Sequence, residues 1–110
     1  MKYIQQGDVF FVPIDRIPEG AVKREGRVIR ASEVSGNVHA VSEGVDIYER
    51  DGVLYLNAPL GGNALHGRNA GDGTIVEAGH DTEPLTAPHY RVDIVFEFDH
   101  LEKRRRELRD

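Results

Sequence analysis

Apolar and polar residues alternate with a period of two along much of the chain, most clearly in YRVDIVFEFD, residues 90–99. Tyr90, Val92, Ile94, Phe96 and Phe98 fall on one face; Arg91, Asp93, Val95, Glu97 and Asp99 fall on the other. One face packs on a core and the other meets water, as in an antiparallel sheet. GDVFFVPI (7–14), RVIRA (27–31) and EVSGNVHAVS (33–42) read as three earlier strands, and TIVEAG (74–79) as a short one. VDIYERDGVLYLNA (45–58) is a hairpin. Its Asp51-Gly52 is a type I′ turn signal, which sets Arg50 opposite Val53, Tyr48 opposite Tyr55 and Ile47 facing Leu56.

Between these runs the pattern breaks. IPEGAVKREG (17–26) and HDTEPLTAPH (80–89) read as turn-rich connectors. Residues 59–73, PLGGNALHGRNAGDG, read as a long Gly/Asn-rich loop. Gly36, inside the third strand, points to a bulge, a turn or a close backbone approach. Residues 101–110, LEKRRRELRD, read as a charged helical tail with Asp99 as its N-cap. The expected architecture is a single mainly β domain over 1–110. It is a small antiparallel barrel or sandwich of six or seven strands with a short C-terminal helix.

Composition narrows the class. With 110 residues, 39% hydrophobic and 30% charged, the chain suits one globular domain with a modest core. No cysteine means no disulfide and no thiolate metal site. No apolar run approaches the ~20 residues of a membrane span, and the first residues lack a signal-peptide pattern. A cytoplasmic protein is the expectation. The net charge is −5, but the last ten residues carry five basic and three acidic side chains, leaving the body near −7. An acidic body argues against nucleic-acid binding through phosphate neutralisation.

The candidate chemistry lies in the histidines. Asn37 and His39 are two apart on one strand and so share a face. Glu77 and His80 stand just before the last strand. His39, Glu77 and His80 form a ligand set suited to a divalent transition metal (Zn, Mn, Fe or Ni) with an open coordination position. His66 sits in the glycine-rich stretch, where loop surface is its simpler reading. His89 and His100 flank the last strand as solvated groups, and Glu97 lies on its polar face. Ser32, Ser35 and Ser42 lack a nucleophile-elbow context, and the glycines are not followed by Lys-Ser/Thr as a phosphate loop requires.

The stretches QGDVFFVPID, ASEVSGNVHAV, VDIYERDGVLYLNA, EAGHDTEPLTAPHYRV and FEFDHLEKRR resemble a family of small, largely uncharacterised bacterial and phage-associated proteins. Its pattern runs from a GDV strand through G-H-x-H, a D-G hairpin and H-x-x-H to a final Y-x-V strand. The resemblance covers most of the chain except the insert at 61–73. It implies a four-histidine cluster whose positions fall on Asn37, His39, Glu77 and His80, so this chain keeps two of the four. The family's proline-proline-glycine turn is replaced by Thr86-Ala87-Pro88-His89. Two function classes follow: a metal or polar ligand site at these residues, or a module without chemistry that captures a partner protein, a second copy included.

Overall fold

The computed structural model describes residues 3–31, 37–69, 75–77 and 82–94, with 37, 68, 69 and 75–77 placed by backbone alone. All regular structure among them is β. The strands are β1 (Ile4–Gln6), β2 (Val9–Pro13), β3 (Val22–Arg24), β4 (Val28–Ala31), β5 (Asn37–Val41) and β6 (Asp46–Arg50). They continue with β7 (Val53–Asn57), β8 (Gly62–Asn69), β9 (Ile75–Glu77), β10 (Glu83–Leu85) and β11 (His89–Ile94). One sheet has the order β1-β2-β11-β7-β6-β3; the other has the order β10-β8-β5-β4, with β9 also paired to β8. Among the described residues no helix is long and apolar enough to cross a membrane.

The alternation seen in the sequence places the core. On β11, Val92 lies opposite Phe11 of β2 and Leu54 of β7, and Tyr90 lies opposite Leu56. These residues share one face and are buried together with Ile47 and Val9. The second sheet contributes Ile29, Val41, Ala64 and Leu85 to the same cluster. Burying each large side chain contributes about 1.5–3 kcal/mol, so this shared cluster is what holds the two sheets together. Tyr90 keeps its hydroxyl satisfied inside the core: the backbone N–H groups of Thr86 and Ala87 donate to it at 2.9 and 2.8 Å.

The hairpin follows its turn chemistry. Asp51 and Gly52 have φ of 52° and 80°, both positive as a type I′ turn requires. The register is the expected one, with Arg50 opposite Val53, Tyr48 opposite Tyr55 and Ile47 opposite Leu56.

Elsewhere the chain is more strand-rich than its composition suggests. Residues 59–73 do not form one long loop, because β8 runs through them and pairs with β5 on one side and with β9 and β10 on the other. Glycine and asparagine usually disfavour a strand, but Ala64, Leu65 and Gly67 are buried, and tertiary burial overrides that preference. Gly62 has φ of 147°, and a Cβ there would lie 2.5 Å from Val45 Cγ2, so the tight approach of β8 to the β5–β6 connection requires glycine. The connectors at 17–26 and 80–89 likewise contain β3 and β10, and an unexpected β1 precedes the first predicted strand. Among the described residues, eleven strands thus stand where six or seven were expected. The predicted tail helix, its Asp99 cap, the irregularity at Gly36, and Phe96, Glu97, Phe98 and His100 all lie outside the described residues.

Candidate functional site

On β5, His39 and Val41 share the core-facing side, two residues apart. Val41 pairs with Ala64 in an apolar row, and the next row on that side is His39 with His66. The inter-sheet space therefore changes from hydrocarbon to imidazole within one step of the pleat. The two rings stack, with centroids 4.3 Å apart and planes 4° from parallel.

The first sheet reaches this row through the β1–β2 turn. Gln6 pairs with Val9, leaving Gly7-Asp8 as the two-residue connection. Gly7 has φ of 61° and Asp8 is not in the positive region, so only the first central position demands glycine. A Cβ at Gly7 would meet His39 Cε1 and Nε2 at ordinary contact distances of 3.6 and 3.7 Å, so the turn backbone lies against the imidazole.

Gln6 is 4% exposed and His39 is 8% exposed, and their contact is directional. The Gln6 Nε2 amide donates to the Ala64 carbonyl at 3.1 Å, which joins the two sheets. Its Oε1 is then the atom that faces His39 Nδ1, at 3.1 Å. An amide oxygen can only accept, so Nδ1 carries the hydrogen. The other ring nitrogen, Nε2, lies 3.5 Å from Asp8 Oδ1.

Arg30 holds the second carboxylate oxygen of Asp8, Oδ2, through its Nη1. A bulge on β4 puts it there. Val28 pairs with Ala40, yet Arg30, not Ile29, pairs with His39. The extra residue shifts Arg30 into the His39 row, as bulges commonly re-aim a side chain. Gln6, Asp8, Arg30, His39 and His66 thus converge from β1, the β1–β2 turn, β4, β5 and β8.

Of the residues expected from sequence, His39 is at the centre. Asn37 takes a same-parity position on β5 and pairs with Arg68. Glu77 pairs with Gly67, which pairs with Val38, so its backbone lies one row away from His39. His80 lies outside the described residues. Among the described residues no three His, Asp or Glu side chains are grouped to hold a metal ion. His89 stands apart and half-buried, its Nδ1 3.2 Å from the Asp15 carbonyl. Gln6, Asp8 and Arg30 escaped the sequence reading. The only local signal for them was Gln-Gly-Asp, which reads as an ordinary turn. Clefts of about 460 Å³ beside Leu54 and Ile94 and about 350 Å³ between Lys23 and Asp46 lie away from this cluster.

A family model described as "Domain of unknown function (DUF8820)" matches residues 5–94. The chain belongs to that family. The DUF8820 span takes in every member of the cluster, from Gln6 to His66, and both sheets except Ile4 at the start of β1. No curated protein and no solved structure matches the chain. The resemblance to an uncharacterised domain family therefore stands at the level of the domain.

Proposed function

We propose that this DUF8820 domain is a ligand-binding module whose ligand is a divalent transition-metal ion held at His39. The observation that supports it most is the orientation of that imidazole. A metal-binding histidine donates its other ring N–H to a fixed acceptor, which sets the tautomer and aims the lone pair. Gln6 is such an acceptor at Nδ1, itself fixed by the Ala64 carbonyl. The donor atom toward the site is then Nε2, which faces the Asp8 carboxylate. The further donors that the sequence offers are His80, Glu77 and Asn37, a nitrogen-and-oxygen set suited to Zn, Mn, Fe or Ni. An ion of this class supplies Lewis acidity toward a bound water or a substrate oxygen.

Metal content after purification without an affinity tag tests this. The unaltered chain is expected to carry close to one equivalent of one transition metal, and His39→Ala to lose it. Less than about a tenth of an equivalent in the unaltered chain, with no uptake from added Zn²⁺, rejects the reading.

A further inference from the structure

We infer that Asp8 is the second ligand of the His39 site, supplied by the β1–β2 turn. The inference rests on the reading of His39 as a metal ligand and adds a residue to it. Two relations carry it. The first is distance. A direct charge-assisted contact between an imidazole N–H and a carboxylate oxygen closes to about 2.7–2.9 Å. His39 Nε2 and Asp8 Oδ1 are 3.5 Å apart. Two donors each about 2.1 Å from a tetrahedral ion stand about 3.4 Å apart, so one zinc ion can reach both atoms with little movement of either.

The second relation is how both donors are held. His39 is fixed at Nδ1 by Gln6, and Asp8 is fixed at Oδ2 by Arg30. His39 Nε2 and Asp8 Oδ1 thus face each other across the site. Arg30 on Oδ2 leaves Asp8 to act as a one-oxygen ligand and fixes the orientation of its half-exposed carboxylate. Ligating carboxylates are hydrogen-bonded in this way as a rule. The bulge at Ile29 is what brings Arg30 into position.

The experiment is a calorimetric titration of the tag-free 110-residue chain with Zn²⁺ alone, repeated for Asp8→Asn, His39→Ala and, as a remote carboxylate control, Asp93→Asn. Asp8→Asn is expected to weaken binding at least tenfold and Asp93→Asn to leave it within twofold. In the unaltered chain, ¹³C NMR of the Asp8 carboxylate and ¹⁵N NMR of His39 Nε2 should both move on saturation, while the Nδ1–H signal persists. Zn²⁺ binding that survives Asp8→Asn within twofold overturns the assignment of Asp8 and leaves His39 as a ligand. If Asp8→Asn does not fold, an Asp8 carboxylate signal that stays put under saturating Zn²⁺ overturns it instead. No binding by the unaltered chain overturns both this inference and the proposed function.

Discussion

His39 and His66 are direct cross-strand partners on β5 and β8 whose rings stack 4.3 Å apart at 4°. The pair is the first polar row beyond the apolar row of Val41 and Ala64. Aromatic pairs in such contact are worth about 0.5–1.5 kcal/mol beyond their burial. His66→Ala should therefore cost about 1–2 kcal/mol. His39→Ala should cost about 2–4 kcal/mol, because it also strands the buried Gln6 carbonyl. In urea unfolding the double variant should fall short of the summed singles by about 0.5–1.5 kcal/mol. Strict additivity would show that the stack contributes nothing.

Gln6 and Gln5 are adjacent glutamines with different tasks. Gln6 bonds Ala64 of the other sheet and His39, whereas Gln5 bonds only the nearby Gly7 carbonyl at the surface among the described contacts. Gln6→Ala should lower stability by about 2–4 kcal/mol, since two buried partners lose their contact. Gln5→Ala should stay within about 0.5 kcal/mol. Equal midpoints for the two variants in denaturant would contradict the role of Gln6 as the inter-sheet tie.

Tyr90 is 1% exposed, and its hydroxyl accepts two backbone N–H groups. Tyr90→Phe keeps the ring and removes the acceptor. The loss should be about 1–3 kcal/mol, the cost of leaving buried donors unpaired. Amide exchange at Ala87 should quicken at the same time. A stability unchanged within error would mean that water takes over both bonds.

Gly62 and Gly52 both have positive φ but different surroundings. A Cβ at Gly62 meets Val45 Cγ2 at 2.5 Å and Ser42 Oγ at 3.0 Å, while one at Gly52 meets nothing within 4 Å. Gly52→Ala should cost about 1 kcal/mol from backbone strain alone. Gly62→Ala should cost about 3 kcal/mol or more, strain and overpacking together. Val45→Ala combined with Gly62→Ala should recover part of that loss relative to the sum of the singles. Thermal unfolding of the three variants decides it.

The sequence by itself determined the elements whose information is local. Alternation at 90–94 set the core face of β11, and Asp51-Gly52 set the hairpin register, because pleat and turn conformation depend on neighbouring residues alone. It also singled out His39 on a strand. It did not reveal β8, because eight residues containing two glycines and two asparagines become a strand only when β5, β9 and β10 pair with their backbone. Nor did it reveal the partners of His39. Gln6, Asp8 and Arg30 lie 33, 31 and 9 positions away from it in the chain. Their meeting depends on the β1–β2 turn folding over the second sheet and on one extra residue at Ile29 moving Arg30 by a single place. A shift of one residue moves a side chain to the other face of a sheet, so only the tertiary register could decide what surrounds that imidazole.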